Sequence, residues 1–341
     1  MKIQSFYPGL AALTLLSGLI FAAGVSSARA ATYTWDGGGS ADYWGDSLNW
    51  HPDSGFPNAA GDVVTTAGIT ITPLQLADSG GVDASFTVGS FTKGHPSSNV
   101  EIGNVTSGTG KLIFQGASGT SAIVSSVNTG KYMNFNVGVT LNDTLEVVAY
   151  HQTGTGTSLN FLKTIDGSGS LSILGTKVGS ASAVGYVNVN VAASYTGSTT
   201  INGTASTTQI LGTGGGKLVI AGSNFLPTAT VLSVNASSAG GTTVPQGGRF
   251  NLNGFNQEVA GLNGSTGTAL GTVTNDTAGA STSTLTINNA ANHVYSGVIS
   301  DAITGGNLGK MALAKSGAGT QTLAGANTYT GVTTVTAGTL L

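Results

Sequence analysis

The chain has 341 residues, a formal net charge of -3 and only 7% charged residues, far below the quarter or so usual in a globular domain. Such a balance gives no basic footprint for nucleic acid or anionic lipid, and the lack of cysteine leaves no disulfide and no thiolate ligand. The 54 glycines punctuate alternating Val, Ile, Leu and Thr, so many short strands are expected rather than a disordered linker.

Residues 1–30 read as a signal peptide. Met1-Lys2 supplies a positive start, Leu10 to Ala23 an apolar stretch too short and interrupted to span a membrane securely, and Ala28-Arg29-Ala30 an A-x-A cleavage site. The mature chain is expected to begin at Ala31, without a transmembrane segment; loss of Lys2 and Arg29 takes its formal charge from -3 to -5. Residues 31–60 then hold all three tryptophans, Trp35, Trp44 and Trp50, with Tyr33 and Tyr43. An apolar lid on an open sheet end is one reading of this group. An aromatic platform that stacks sugars is the other, and it makes Trp35, Trp44 and Trp50 the candidate ligand-binding residues.

Residues 61–190 are expected to form irregular strands. A first motif, Gly-x-Gly-x-[Leu/Gln]-x-[Ile/Phe/Leu]-x-Gly, runs through Gly108–Gly116, Gly167–Gly175, Gly214–Gly222 and Gly317–Gly325. Alternate side chains of a strand share a face, so Leu112 with Phe114, Leu171 with Ile173 and Leu218 with Ile220 each mark one short strand between glycine corners. From residue 191 a second motif appears, Tyr-[Thr/Ser]-Gly followed by β-branched residues, at Tyr195, Tyr295 and Tyr329. The tyrosine is expected to pack at a corner and the glycine to supply the backbone angles that the corner needs. Short strands without helical periodicity fit a sandwich, a barrel or a solenoid. Repetition with variable insertions favours the solenoid, because each coil touches only its neighbours.

Only the last unit, residues 314–341, keeps both motifs close together: Ala314-Lys315-Ser316-Gly317-Ala318-Gly319-Thr320-Gln321-Thr322-Leu323 followed by Tyr329-Thr330-Gly331-Val332-Thr333-Thr334-Val335. It resembles the autotransporter-associated β-strand repeat, or passenger-associated transport repeat, of bacterial surface proteins. Arg249 to Leu262 resembles a segment common between such repeats, and Thr34-Trp35-Asp36-Gly37-Gly38-Gly39 with Leu48-Asn49-Trp50 resembles the opening of many proteins that carry them. The resemblance implies an all-β fold, a right-handed parallel β-helix with an N-terminal aromatic cap. Coils of roughly 20 to 25 residues at about 4.8 Å would give a rod of about 60 to 75 Å. In that family the lack of cysteine fits passage through an outer membrane unfolded; a long regular core that needs no staples explains it equally well. The chain stops at Leu340-Leu341 inside an expected apolar strand, which reads as a truncated unit or as an open edge available for self-association.

Chemistry is sparse. Gly45-Asp46-Ser47-Leu48 spells the nucleophile block of GDSL esterases, but no Asp stands three residues before His51, His95, His151 or His293, as their Asp-x-x-His partner requires. A polysaccharide lyase or glycosidase needs paired carboxylates or a calcium cluster. Asp36, Asp42, Asp46 and Asp53 are the densest acidic group, and Asp143/Glu146 and Asp276/Asp301 are the other pairs considered. No His-x-His, His-Glu-x-x-His or Gly-x-Gly-x-x-Gly pattern with a following helix is found, and Gly154-Thr155-Gly156 and Gly214-Gly215-Gly216 read as corners. The expectation is thus an exported, surface or outer-membrane-associated stalk without catalytic residues, metal or cofactor, adhesive or matrix-like, with a surface polysaccharide as possible partner. A carbohydrate-binding or carbohydrate-active β-helix is the alternative; an enzyme would show acids converging with Lys or Arg on one face.

Overall fold

The computed structural model describes residues 30–341 apart from 67–70, 95–97, 106–107, 129–130, 152–157, 178–184, 204–214, 238–246 and 268. The expected signal peptide, except Ala30, therefore lies outside the described residues, as do His95 and Gly154-Thr155-Gly156. Among the described residues the chain is a parallel β-solenoid with three faces and no α-helix, and no helix is long and apolar enough to cross a membrane.

The chain visits the faces in turn. Ala122–Asn128 lies on the first, Met133–Phe135 on the second and Gly138–Leu141 on the third; Leu145–His151 then returns to the first, in parallel register with Ala122–Asn128. Ten-stranded ladders cover the first and second faces. The third carries Phe86–Val88, Lys111–Phe114, Gly138–Leu141 and Ile165–Gly167 and, after two coils without a strand there, Gln257–Val259, Thr282–Asn288, Lys310–Ser316 and Thr333–Val335. Beyond Gly261–Asn263 the first face passes through the bridge Gly264↔Tyr295 into a ladder of His293–Tyr295, Thr320–Leu323 and Thr339–Leu340.

Alternation decides which side chains line the interior. On the second face Val100, Met133, Leu159, Val187, Leu218, Phe250, Val273 and Ile299 stack in one continuous register, all of them buried. The first face contributes Val64, Phe91, Val124, Val147, Ile173 and Ile201 in the same way. Phe135 and Phe161 stack at 5.2 Å, with Phe114 and Phe91 edge-on to Phe135 at 6.2 and 6.5 Å. Packed this way, parallel strands bury apolar area that no single coil could hide alone.

Leu112, Leu171 and Leu218 are fully buried and Leu323 is half-buried against the core. Their strands, however, lie on three different faces: Leu112 on the third, Leu218 on the second, Leu171 and Leu323 on the first. The glycine motif thus marks a strand with its corner and not a whole coil. Its first glycine sits at positive φ in the three described copies, Gly108, Gly167 and Gly317, and its second lies so close to the coil below that a Cβ at Gly169 would fall 2.0 Å from the Asp143 carbonyl oxygen.

Register steps such as Ser90↔Ile123, Leu171↔Thr199 and Thr199↔Leu232 are longer than the expected 20 to 25 residues. The rod is correspondingly shorter: the nine parallel strands of the first face and the three of the ladder that continues it make twelve levels and span eleven spacings of about 4.8 Å, or about 53 Å.

At the N-terminal end Trp50–His51 folds back antiparallel on Thr32–Trp35, covering the edge of the first strand. Trp50 meets Trp35 at 4.9 Å and Trp44 at 4.8 Å, both edge-to-face, and Trp44 stacks on Phe86 at 5.6 Å. Two of the indole N–H groups are satisfied internally: Trp44 donates to the Pro57 carbonyl and Trp50 to that of Trp44. This is the aromatic cap.

The tyrosine corners are built as a unit. Tyr195 and Tyr295 are buried; the Tyr195 hydroxyl shares a hydrogen bond with Thr199, four residues on, and Tyr329 repeats this with Thr333. Gly197, Gly297 and Gly331 do not take positive φ as expected of a corner glycine. Close approach demands them instead: a Cβ at Gly197 would lie 2.3 Å from the Gly169 carbonyl oxygen and one at Gly331 2.3 Å from that of Met311.

Candidate functional site

The second face is built from strands of one pattern, an outward polar residue between two inward apolar ones: Met133-Asn134-Phe135, Leu159-Asn160-Phe161, Val187-Asn188-Val189. Parallel register therefore places Glu101, Asn134, Asn160 and Asn188 in one outward column. The amides bond head to tail. Asn188 donates to Asn160 Oδ1 at 2.7 Å, Asn160 to Asn134 Oδ1 at 2.7 Å and Asn134 to the Glu101 carboxylate at 3.3 Å. The carboxylate stands at the donor end of the run, where a negative charge is best placed.

A second column runs beside the first, with Ser158, Tyr186, Lys217 and Arg249 in register and Tyr132 one residue before Met133. Lys217 Nζ lies 4.2 Å from the centroid of the Tyr186 ring, a cation–π contact. Burial, with the Arg249 charge adding to it and Asp276 opposing, lowers the Lys217 ammonium to about 8. Tyr132 is raised by its hydrogen bond to Glu101, with burial and the carboxylate charge in support. From Val100 to Asn251 the strands of this face and their flanks carry Lys131, Lys163, Lys217 and Arg249 against Glu101, while Asp276 reaches Arg249 at 3.9 Å from the next coil. This stretch thus carries more cations than carboxylates, with Lys217 buried and Arg249 facing Asp276.

The other acids serve as staples. Asp276 accepts from the Thr304 N–H and hydroxyl and from Asn307; Asp301 accepts from the Thr330 N–H and hydroxyl and from the Met311 N–H. Burial raises both carboxyls, but these hydrogen bonds outweigh it and hold the net pKa of each below the ordinary value. Each ties one coil to the next through these hydrogen bonds. On the third face Lys111 reaches past Gly138 to Asp166 at 2.5 Å, and Thr140 bonds the same carboxylate.

In the cap, Asp46 is spent on capping the short 3-10 turn Ser47–Asn49, accepting from the Leu48 N–H, and Asp36 accepts from the Gly38 N–H. Ser47 is the first residue of that turn and not the tip of a strand-to-helix elbow. Among the described residues no group of three or more His, Cys, Asp or Glu side chains could hold a metal ion. Trp35, Trp44 and Trp50 are between 0% and 1% exposed; a stacked sugar needs an open ring face, and the three indoles pack on one another and on Phe86 instead.

The amide column was not among the candidates read from the sequence. Its signal was there, as apolar-Asn-apolar triplets at Asn134, Asn160 and Asn188, hidden by the many Asn and Thr of the same spacing elsewhere.

The fold and this face define a β-solenoid with a patterned lateral surface. Residues 313–341 match the Passenger-associated-transport-repeat family, so the strands Lys310–Ser316, Thr320–Leu323, Thr333–Val335 and Thr339–Leu340 lie within or across one such repeat. No curated protein and no solved structure matches the chain.

Proposed function

We propose that this chain is the stalk of an exported, surface-associated passenger, adhesive and non-catalytic, in which the solenoid holds a lateral face away from the cell. The passenger-associated transport repeat at residues 313–341, continuous with parallel ladders that begin at Thr32, carries this reading. Stiffness comes from the ladders and from side chains that join coils. Adhesion through such a rod is multivalent, since each coil repeats a similar outward pattern and weak contacts add at high effective concentration.

Expression of the full chain in a Gram-negative host tests the reading. The expected outcome is a mature N-terminus at Ala31 and recovery outside the cytoplasm; retention of an uncleaved chain in the cytoplasm contradicts export. Turnover of a polysaccharide by the purified protein, read as new reducing ends or unsaturated uronate absorbance, contradicts the non-catalytic part.

A further inference from the structure

We propose that the second face from Tyr132 to Arg249 binds an anionic linear polysaccharide whose chain lies along the rod axis. The inference rests on the surface-passenger reading only in that such polymers are found outside the cell.

Three features converge. The Asn134–Asn160–Asn188 column offers amide groups at each strand spacing of about 4.8 Å. Asn188 Oδ1, whose neighbour on the next coil is Val219, ends the ladder as an open acceptor. Hydroxyl-rich chains suit such a rail, because every sugar presents both donors and acceptors. Beside it, Tyr132 and Tyr186 are separated by the one intervening strand Ser158–Phe161, two strand spacings or about 9.6 Å apart along the axis, a separation of the order of a disaccharide.

Charge selects the class of sugar. Lys131 precedes the strand of Asn134, Lys163 follows that of Asn160 and Arg249 stands in the neighbouring column, with the Lys217 charge beneath Tyr186, against Glu101 at one end and Asp276 near the other. Uronates spaced along the polymer would meet this excess of positive charge, which a neutral glycan would leave unused. All the groups invoked for contact, Tyr132, Asn134, Asn160, Tyr186, Asn188 and Arg249, are partly exposed.

The probes are alginate and polygalacturonate, titrated against the full chain by calorimetry, with a neutral β-glucan and single-stranded DNA as comparators. Binding of the two uronate polymers should weaken with added salt and exceed that of both comparators. Asn188→Asp, which puts a carboxylate in the rail at constant size, should weaken it tenfold or more. Ser233→Asp, the same charge placed outward on the first face, should leave it within twofold, with both variants checked for an unchanged melting temperature. If Asn188→Asp does not fold, Tyr186→Ala takes its place with the same expected loss. Equal weakening by the two aspartates, DNA binding as tight as alginate binding, or no uronate binding by folded wild type overturns the assignment. None of these outcomes bears on export, which is read from the N-terminus and the cell fraction.

Discussion

Two buried glutamines complete backbone hydrogen bonding that the ladders leave open. Gln257 projects inward on the third face, in the coil after the one around Leu226, where no strand forms. Its carboxamide accepts the Leu226 N–H at 3.1 Å and donates to the Leu226 carbonyl at 3.0 Å. Gln321 does the same for Leu262, 59 residues earlier, at 3.3 and 2.9 Å. Each amide side chain thus stands in for a peptide unit of a neighbouring strand and satisfies two buried backbone groups. Gln257→Leu should cost about 2–6 kcal/mol, because two backbone groups lose their partner at about 1–3 kcal/mol each; denaturant unfolding measures it. A loss below about 0.5 kcal/mol would show that the surroundings supply other partners. Gln321 occupies a motif position that elsewhere holds Leu, and nothing local distinguishes it, since the group that it completes is remote in sequence.

Buried charges set the pH profile. Lys217 is lowered to about 8 by burial and Arg249, and Lys93 to about 8 by burial and Lys131. An unfolded chain keeps those protons up to the ordinary 10.5, so between about pH 8 and 10 it binds more protons than the folded one and stability rises with pH. Burial raises the Tyr195 and Tyr295 hydroxyls despite their hydrogen bonds. Above about pH 10 the unfolded chain therefore loses phenolic protons first and stability falls. At the acid end the lowered carboxyls of Asp276 and Asp301 contribute stability that disappears as pH falls below about 4. The melting temperature should peak between about pH 9 and 10; a maximum near neutrality would contradict the buried state of the two lysines.

Among elements, the cap and the corners are the points where the ladders are closed or turned. Trp50 fills the space between Trp35 and Trp44 and carries the antiparallel pairing that covers the first strand. Trp50→Ala should therefore destabilise the N-terminal coils by about 3–5 kcal/mol, and hydrogen exchange should show protection lost first in Thr32–Trp35 and Val63–Thr66. Uniform loss along the whole ladder would mean that the cap is coupled to every coil. Much of this level was legible in the sequence: strand length from glycine spacing, inward positions from the Leu/Ile and Leu/Phe alternation, the corner role of Tyr195 and the capping role of the tryptophans. What was not legible follows from stacking. The need for glycine at Gly197 comes from the Gly169 carbonyl of the coil below, and the pairing of Asp301 with Thr330 joins residues 29 apart; neither distance is written in a local pattern. The coil period was underestimated for most turns because insertions between motifs lengthen them, while steps such as Ala122↔Leu145 and Leu313↔Thr333 keep the expected length.

For the molecule as a whole, nearest-neighbour stacking governs both shape and function. The ladders join adjacent coils and side chains such as Lys111 and Gln321 reach one coil further, so stability accumulates along the axis and local opening is expected at the ends before the middle. Small-angle scattering should give an elongated particle whose pair-distance distribution is skewed to long distances; a symmetric distribution would reject the rod.

The scatter of the glycine motif over three sides of the triangle has an evolutionary corollary. Duplication of the Gly167–Gly175 motif alone would advance everything downstream by one side, carrying Asn188 out of line with Asn134 and Asn160. Only additions in multiples of three would lengthen the molecule and keep that track straight, so growth of such a gene is filtered by geometry before any selection on ligand affinity.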